Sequence, residues 1–319
     1  MRIFVTGGSG FLGSELIARL IKEGHHVYAL SRNSQSAQKF KMNGVLPVEG
    51  DFNDISRWEN SLNEIDAVIH CAAPVEFWGK WENFENDIVK VTKNLLLASD
   101  RQKAKRFIYI SSESVLQDKE PLLDITEEHP YPEEPSSYYG KAKMLAEKEI
   151  LNYGGSVHCI IIRPTFIWGK GVKALDTMID KIKSGQFMWI DSGDCPIETV
   201  HVKNVVESII LSLSSGNNKS IYNVTDDSPA SAREFLTALI ETKGVQVPDR
   251  NMPGIIASAA AVILESFWKL FGIQSVPPLS RFELSFVHMP RRYNIVKIKN
   301  ELGYRPVVSV KEGLREMKG

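Results

Sequence analysis

Short apolar runs alternate with segments of helical periodicity over the first half of the chain. The runs predict five strands, at residues 3–6, 27–30, 67–70, 107–111 and 159–163. Helices are predicted between them, for instance over residues 14–23 and 89–99. Continuous apolar runs are typical of strands buried on both faces, and their alternation with helices favours right-handed crossovers between parallel strands. The pattern therefore predicts an α/β fold with a doubly wound parallel sheet.

The alternation weakens after about Gly169. A helix is predicted over residues 203–214, a further strand of the sheet over 221–224 and another helix over 231–242. Residues 118–135 are rich in acids and prolines, so they predict an irregular surface loop.

This pattern divides the chain into two regions. We expect residues 1–169, joined again by 201–225, to form the sheet domain. Residues 170–200 and 226–319 are expected to form a smaller substrate-binding region over the strand ends.

The composition is that of an ordinary globular protein, with 43% of the 319 residues hydrophobic and 24% charged. The formal net charge of -1 gives no basic field that would attract nucleic acid. The three cysteines, Cys71, Cys159 and Cys195, have no CxxC spacing, so neither a disulfide framework nor a metal site is predicted. A reducing cytoplasm is the expected compartment, because the first residues enter a strand without a secretory leader.

A glycine-rich turn follows the first strand, with the sequence Thr6-Gly7-Gly8-Ser9-Gly10-Phe11-Leu12-Gly13. Glycines permit a tight turn and a close approach of the backbone to a pyrophosphate, and the N-terminus of the next helix offers free N–H groups. A glycine triplet alone is weak evidence, but here a strand precedes it and a helix follows it. The turn therefore predicts a dinucleotide site of the Rossmann type, at Gly7, Gly10, Phe11, Leu12 and Gly13.

The end of the second strand distinguishes between the two nicotinamide dinucleotides. A carboxylate at this position hydrogen-bonds the ribose of NAD, whereas an arginine pairs with the 2′-phosphate of NADP. The chain has Arg32 there and no acid, with Lys39 and Lys41 nearby. We expect NADP(H) to be preferred, with NAD(H) as the alternative, and we expect Asp51 and Phe52 to contact the adenine side.

Tyr139 and Lys143 are four residues apart, which places them on the same face of a helix. A nearby ammonium lowers the pKa of a tyrosine from about 10, and this suits proton transfer at neutral pH. Ser112 ends the fourth predicted strand, and ligands bind outside the carboxyl ends of such strands. Its hydroxyl can hydrogen-bond a reacting oxygen. Tyr293 and Lys297 share the spacing but have no such serine before them, so we assign them to structure.

The glycine turn, the strand-end serine and the tyrosine–lysine pair occur in an order that resembles the extended short-chain dehydrogenase/reductase family, also called the NAD(P)-dependent epimerase/dehydratase family. The similarity covers nearly the whole chain. Further matching segments lie at residues 70–73, 92–96, 163–169, 200–206, 222–224 and 302–306.

The resemblance implies a role for each residue of the site. Tyr139 would be the acid and base and would also contact the cofactor. Lys143 would hold the nicotinamide ribose and tune Tyr139, and Ser112 would position the substrate oxygen. The backbone of three further residues would line the cofactor: Ala72, Ala73 and Pro164. Members often have a proton-relaying asparagine near residues 88–92, where this chain has none, so a fourth catalytic residue stays unassigned.

Two departures distinguish the chain from family members that act on sugar nucleotides. Such members carry an arginine where this chain has Ile197, and an Arg-Pro-Gly-Asp segment where it has Met289-Pro290-Arg291-Arg292. Three arginines near the C-terminus can still bind phosphate: Arg281, Arg291 and Arg292. The simpler alternative is that all three lie at the solvated surface. A sugar-nucleotide epimerase, dehydratase or reductase is therefore the alternative function.

The segment 254–273 is the most apolar of the chain. It resembles the corresponding helix of the 3β-hydroxysteroid dehydrogenase branch, including Glu265, and dihydroflavonol-reductase-like enzymes share much of the pattern. Its charge-free length is short of the roughly 20 residues that span a bilayer. We expect it to wall an apolar substrate pocket through Phe267, Trp268 and Phe271, to be a buried helix, or to contact a membrane surface.

These features predict an NADP(H)-preferring oxidoreductase that interconverts a secondary alcohol and a ketone on a largely apolar, steroid-like or alicyclic substrate. A dinucleotide-sensing protein without turnover is a second alternative, which the complete serine–tyrosine–lysine set disfavours. The resemblance also implies a homodimer, through the helices over residues 89–99 and 139–151.

Overall fold

A seven-stranded parallel sheet forms the centre of the computed structural model, which describes residues 1–74, 77–118, 120–273 and 275–318. The strands of the chain are β1 (Arg2–Thr6), β2 (His26–Ser31), β3 (Leu46–Glu49), β4 (Ala67–His70), β5 (Arg106–Ile110), β6 (Leu122–Ile125), β7 (His158–Pro164), β8 (Phe166–Trp168), β9 (Trp189–Ile190), β10 (Pro196–Ile197), β11 (Thr199–His201), β12 (Ser220–Val224), β13 (Ala230–Ser231), β14 (Asn251–Met252) and β15 (Arg291–Tyr293).

The helices surround this sheet and build the smaller region above it. They are α1 (Phe11–Lys22), α2 (Ser34–Met42), α3 (Trp81–Phe84), α4 (Val91–Arg101), α5 (Tyr138–Leu151), α6 (Lys173–Lys183), α7 (Val202–Ser212), α8 (Ala232–Glu241), α9 (Gly254–Leu270), α10 (Arg281–His288), α11 (Val296–Leu302) and α12 (Val310–Met317). A π-helical turn, Glu85–Lys90, joins α3 to α4.

The strand order of the sheet is β3-β2-β1-β4-β5-β7-β12. The chain therefore winds from β1 outward to β3, returns to β4 on the other side of β1, and winds outward in the opposite direction. Where the winding reverses, a crevice opens at the carboxyl ends of β1 and β4, and this is the usual place for a ligand in such sheets. The predicted doubly wound parallel sheet is confirmed, and the predicted strand at residues 221–224 is its edge strand β12.

Two apolar layers cover the sheet. On one face Leu16 of α1 packs with Val205 and Ile209 of α7, and on the other face Leu95 of α4 packs with Ala146 of α5. Because both faces are covered, the strands between them contain continuous apolar runs rather than alternating ones.

The smaller region is built on short strand pairs, β8 with β11, β9 with β14 and β10 with β13. Its own core joins Trp168 and Trp189 to Phe235 and Leu239 of α8. Among the described residues, no helix has both the length and the apolar character needed to cross a membrane.

The short strands outside the central sheet were not predicted, and β6 and the sheet strand β3 show why. Residues 118–135 are not irregular throughout, because β6 within them pairs in parallel with β15. The four residues of β6 are too few for a recognisable period, and their partner lies far along the chain. The strand β3, at the edge of the sheet, was not predicted because it contains Pro47 and a half-exposed Leu46.

Candidate active site

The glycine turn joins β1 to α1 at the crevice. Gly7 has a φ of +71°, and a Cβ atom there would lie 2.7 Å from the backbone nitrogen of Ala72. A Cβ atom at Gly13 would collide with the carbonyl oxygen of Gly7. Only glycine meets these requirements. Gly10 precedes α1, and no described side chain caps the first turn of that helix, which begins with the half-buried Phe11 and the buried Leu12. The turn therefore presents backbone N–H groups at a helix N-terminus, where an anion is stabilised.

The end of β4 is held against this turn. The N–H of Ala72 donates to the hydroxyl oxygen of Thr6 (3.4 Å), which also lies 2.7 Å from Nδ1 of the buried His70. Ala72 and Ala73 are half-buried, and Pro164 is buried at the end of β7, two strands away. The residues expected to line a cofactor through their backbone thus lie at the carboxyl ends of the same sheet.

A cavity of about 340 Å³ lies beyond the ends of β2 and β3. It is lined by Ser31, Arg32, Asn33, Ser34, Glu49, Gly50, Asp51, Asp54, Arg57 and Trp58. Two of these residues, Arg32 and Arg57, are cationic. Arg57 forms an ion pair with Asp54 (2.7 Å). The sequence did not predict that Arg57 lines this cavity, because only the fold brings it close to Arg32. The ring of Phe52 packs on the rings of Trp58 and His70 instead of lining the cavity.

The helix α5 carries Tyr139 and is capped by Ser137, whose hydroxyl accepts from the N–H of Gly140 (3.0 Å). A Cβ atom at Gly140 would collide with the carbonyl oxygen of Ser114, so glycine lets the helix approach the turn after β5. This approach brings Tyr139 within hydrogen-bond reach of Ser112. The Ser112 hydroxyl also accepts from the N–H of Ser114 (3.2 Å), so it caps the turn as well.

Lys143 lies buried one turn along α5. Its ammonium donates to the carbonyl oxygen of Ile110 (2.7 Å) and lies over the rings of Tyr109 (4.7 Å) and Tyr139 (5.9 Å). Burial lowers the pKa of Lys143 to about 8. The three residues predicted to act together are therefore assembled at the end of β5.

The expectation that the pKa of Tyr139 is lowered was wrong. Burial raises this pKa to about 12, and the hydrogen bond with Ser112 lowers it by a smaller amount. The ammonium of Lys143 donates to the Ile110 carbonyl oxygen and not to the Tyr139 hydroxyl, and burial is the larger effect on this pKa. Tyr139 is therefore a neutral phenol at physiological pH, which makes it a proton donor.

Aromatic side chains that no sequence pattern marked surround Tyr139. Phe77 lies edge-on to its ring at 5.2 Å and stacks on Phe282 of α10 at 4.1 Å. Trp81 lies edge-on to the neighbouring Tyr138 at 5.8 Å. These residues belong to a loop and to short helices without a sustained period, so the sequence offered no signal for them.

Of the three aromatic residues expected to wall the site, Trp268 is half-buried, whereas the other two face outward. Phe267 and Phe271 are exposed, whereas the buried side of this helix consists of Gly254, Ala257, Ala261 and Glu265. Small residues allow α9 to pack closely on its neighbours, and the large apolar side chains are left on the outer side. The prediction that Phe267 and Phe271 line a pocket was therefore wrong.

The arginines near the C-terminus are not all solvated. Arg291 is buried, lies 3.8 Å from the carboxylate of Glu113 and donates to the Ser285 hydroxyl (3.0 Å). Arg281 forms an ion pair with Glu265 (2.7 Å). Arg292 is exposed and, among the described residues, has no ion pair.

The second tyrosine–lysine pair does not form a site. Tyr293 is buried in β15, whereas Lys297 belongs to α11, so the two do not share one helix face. Within the described ranges, no group of three or more histidine, cysteine or acidic side chains could hold a metal ion.

Comparison with known proteins gives relatives over the full length. The family model of the NAD dependent epimerase/dehydratase family matches residues 3–225. The 4-hydroxy-2-methyl-3-oxo-4-farnesyl-3,4-dihydroquinoline-1-oxide ketoreductase of Stigmatella aurantiaca is 34% identical, over 98% of this chain and 95% of its own. The decarboxylating sterol-4-alpha-carboxylate 3-dehydrogenase of Dictyostelium discoideum is 31% identical, over 99% of each chain.

The fold also has solved counterparts. The UDP-glucuronic acid 4-epimerase from Bacillus cereus, solved in complex with NAD, superposes with a TM-score of 0.75. The superposition covers 100% of this chain and 99% of the other at 21% sequence identity, so the similarity is one of fold.

Proposed function

Because the chain belongs to the NAD-dependent epimerase/dehydratase family, we propose that it is an NADP(H)-preferring oxidoreductase that reduces a ketone on a largely apolar substrate and can run in reverse on the alcohol. The observation that carries the proposal is the assembly of Ser112, Tyr139 and Lys143 at the end of β5, beside the glycine turn.

The residues at the crevice fit a dinucleotide. The turn has no room for a side chain at Gly7 or Gly13, and it leads into a helix N-terminus where a pyrophosphate is stabilised. Lys143 and the backbone of Ala72, Ala73 and Pro164 would hold the nicotinamide end. When bound, the reduced dinucleotide supplies the hydride for the carbonyl carbon.

The side chains handle the oxygen of the substrate. The carbonyl oxygen accepts hydrogen bonds from the hydroxyl groups of Ser112 and Tyr139, which lie within reach of each other. As negative charge develops on this oxygen, Tyr139 donates its proton. The pKa of Tyr139 is raised to about 12, so its hydroxyl is protonated at neutral pH and can serve as the acid in ketone reduction. The ammonium of Lys143 stabilises the phenolate that forms.

The cofactor preference rests on the cavity at the ends of β2 and β3. Arg32 and Arg57 line it, and no acid stands at the end of β2, where a carboxylate would select NAD. The 2′-phosphate of NADP would pair with Arg32 and draw Arg57 from Asp54. Asp51 lines the same cavity, where it would contact the adenine side.

An apolar substrate is favoured over a sugar nucleotide. Two curated relatives above 30% identity are named for a farnesylated ketone and for a sterol. Ile197 is apolar and buried, and Arg291 is engaged by Glu113 and Ser285, so neither position offers a free guanidinium to a diphosphate. The ring of Phe77, which stacks on Phe282, instead presents hydrocarbon next to Tyr139.

We also propose that α9 contacts a membrane surface. Its outer side exposes Ile255 (87%), Ile263 (68%) and Leu270 (80%), and these residues form one apolar stripe. Lys269 is the single charged residue among the exposed positions of α9, all of which the structure describes. Such a helix lies in the interface of a bilayer without crossing it.

A homodimer is the proposed assembly. Lys93 of α4 and Glu149 of α5 are paired at 3.0 Å, so the two helices form one continuous surface on the same side of the sheet. Sedimentation at several protein concentrations measures the mass directly.

The function is tested by incubating the enzyme with NADPH or NADH and a panel of substrates, and by measuring the change in absorbance of the reduced nicotinamide. The panel contains ketosteroids, simpler cyclic ketones, the matching alcohols with oxidised cofactor, and UDP- and dTDP-sugars. Oxidation of NADPH by an apolar ketone is the expected result. Sugar conversion in product analysis, without turnover of any ketone, would identify an epimerase or dehydratase instead. Cofactor binding without any turnover would identify a sensing protein.

A further inference from the structure

A row of aromatic rings leads through the smaller region to Tyr139. Phe166 lies edge-on to Phe286 (6.3 Å), and Phe286 lies edge-on to Phe282 (4.9 Å). Phe282 stacks on Phe77 (4.1 Å, 22° between the ring planes), and Phe77 lies edge-on to Tyr139 (5.2 Å). The five rings come from β8, α10, the loop after β4, and α5, so only the fold brings them together.

The two stacked rings differ in their support. Phe282 is 5% exposed, and its helix is fixed by a capping box in which Ser280 and Glu283 bond each other's backbone. Phe77 is 38% exposed and belongs to the loop that follows β4. Phe282 is therefore a fixed wall, and Phe77 is the outer ring that a molecule from solution meets first.

We propose that Phe77, backed by the buried ring of Phe282, determines the specificity of the site, because Phe77 binds the flat hydrocarbon next to the reacting carbonyl and excludes sugar nucleotides. This inference rests on the proposed ketone reduction. It assigns substrate selection to two residues that lie far apart in the chain and contact neither Ser112 nor Lys143 through a hydrogen bond.

The geometry gives the physical reason. A ketone that is hydrogen-bonded to the Tyr139 hydroxyl is a neighbour of Phe77, because the rings of Phe77 and Tyr139 are in contact. Phenyl rings gain dispersion contacts and buried area from a flat apolar partner. They offer no donor or acceptor to a sugar hydroxyl or a diphosphate, and the lost hydration of such groups would not be compensated.

The loop of Phe77 also connects the site to the outer side of α9. The indole N–H of Trp78 donates to the carbonyl oxygen of Ile273 (3.3 Å), and the ammonium of Lys269 lies 5.9 Å from the Trp78 ring. The residue next to Phe77 therefore contacts the C-terminal end of α9.

The experiment compares a 3-ketosteroid with cyclohexanone in the wild-type enzyme, Phe77→Ala, Phe77→Leu and Phe282→Leu. We expect Phe77→Ala to lower kcat/KM for the ketosteroid by roughly 10- to 100-fold, mainly through KM, and to change that for cyclohexanone less than about threefold. Phe77→Leu should recover part of the loss, because leucine restores apolar volume. The Kd for NADPH should not change in any variant.

The matched control is Phe187→Ala. Phe187 is half-buried in an edge-on pair with Trp189 (5.0 Å) in the smaller region, away from Tyr139, and its removal should leave the ratio between the two ketones unchanged. Melting temperatures identify any variant that has lost its fold. If Phe282→Leu is unstable, the two Phe77 variants still test the proposal, because Phe77 is exposed and its replacement should not unfold the protein.

Equilibrium binding of the ketosteroid to the enzyme saturated with NADP⁺ is measured alongside, so that the rings are tested without turnover. A weaker Kd in Phe77→Ala supports their role. The proposal is overturned if Phe77→Ala lowers kcat/KM equally for both ketones. It is also overturned if neither the Kd for the ketosteroid nor the ratio of kcat/KM between the two ketones changes. If the wild-type enzyme reduces no ketone, the proposed function fails separately.

Discussion

Tyr139 is the proton donor in the proposed reaction, and its hydroxyl can be removed without removing its ring. We expect Tyr139→Phe to lower kcat by roughly 100- to 10,000-fold, the usual contribution of a positioned acid. The Kd for NADPH should change by less than about threefold, since the ring contact with Phe77 is retained. Steady-state kinetics and cofactor fluorescence measure the two quantities. Tyr138→Phe, which alters a half-exposed neighbour, is the control; survival of turnover in Tyr139→Phe would disprove the assignment.

Lys143 gives the reaction a defined pH dependence. Its pKa is lowered to about 8, so the ammonium is present below that pH and is lost above it. Tyr139, with a pKa of about 12, stays protonated over the same range. We expect kcat/KM for ketone reduction to be constant at lower pH and to fall about tenfold per pH unit above pH 8.

The control for this profile is Lys143→Arg, because a guanidinium stays charged at all these pH values. Its rate will be lower, but the decline above pH 8 should disappear. A wild-type profile that stays level up to about pH 10 would show that the charge on Lys143 does not assist the reaction.

Arg32 is the residue through which the cofactor preference can be reversed. We expect Arg32→Asp to lower the ratio of kcat/KM for NADPH to that for NADH by roughly tenfold or more, since a carboxylate repels the 2′-phosphate and accepts from a ribose hydroxyl. Lys39→Asp makes the same charge change on α2 at a position that does not line the cavity, and it should have little effect. Equal effects of the two substitutions would mean that only the general surface charge matters.

At the scale of single residues, sequence reasoning identified groups that belong to a motif. Ser112, Tyr139 and Lys143 were found because a strand end and a helical spacing restrict where they can lie. Arg57 and Phe77 were missed, because their function depends on which distant residue they meet. The pKa of Tyr139 was predicted in the wrong direction, because burial and the bond of Lys143 to a backbone carbonyl are properties of the packed site.

At the scale of elements, the long buried ones were predictable and the short or exposed ones were not. The strands β1, β4, β5 and β7 are apolar on both faces, and this alone reveals them. The strand β6 has only four residues, and it exists because β15 pairs with it. Such pairing is decided by the position of the whole C-terminal region, which no local pattern contains.

The outer stripe of α9 gives a prediction for an entire element. We expect Ile263→Glu with Leu270→Glu to reduce binding to vesicles of anionic phospholipid by roughly tenfold or more, because two charges would have to enter the apolar boundary. Cosedimentation with vesicles measures this binding. Turnover of a water-soluble ketone should be unchanged, since both side chains are exposed at the surface and neither belongs to the proposed catalytic site.

A matched charge change elsewhere separates lipid contact from overall charge. Leu46→Glu with Val307→Glu introduces the same charges at exposed positions outside α9 and should leave vesicle binding largely intact. If the wild-type protein does not sediment with vesicles at all, the stripe serves another contact.

At the scale of the whole molecule, the sheet order determines why residues from opposite ends of the sequence meet. The direction of winding reverses between β1 and β4, and this places the glycine turn beside the end of β4. The next strand, β5, brings Ser112 to the same edge of the sheet. The family predicted from these motifs is confirmed by the match over residues 3–225. The sequence did not reveal how the last residues are attached, because their contacts are made by buried polar groups.

Asn204 is the centre of that attachment. Its side chain, fully buried in α7, donates to the carboxylate of Asp226 (2.7 Å) and to the carbonyl oxygen of Val308 (2.8 Å). It accepts from the N–H groups of Val307 (2.8 Å) and Val308 (2.9 Å). One side chain therefore joins α7, the end of β12 and the segment that leads to α12.

We expect Asn204→Ala to lower the free energy of unfolding by about 2–4 kcal/mol, because it removes one donor from the buried Asp226 carboxylate and the side-chain partner of the backbone groups of Val307 and Val308. Denaturant unfolding at constant pH measures the loss, and Asn94→Ala on the exposed side of α4 should change it by less than about 0.5 kcal/mol. Under conditions where the variant is still folded, NADPH should bind with nearly normal affinity, since the glycine turn does not contact Asn204. Equal stability of the two variants would mean that the apolar contacts of Leu302 and Tyr304 hold the C-terminal segment without help from this polar centre.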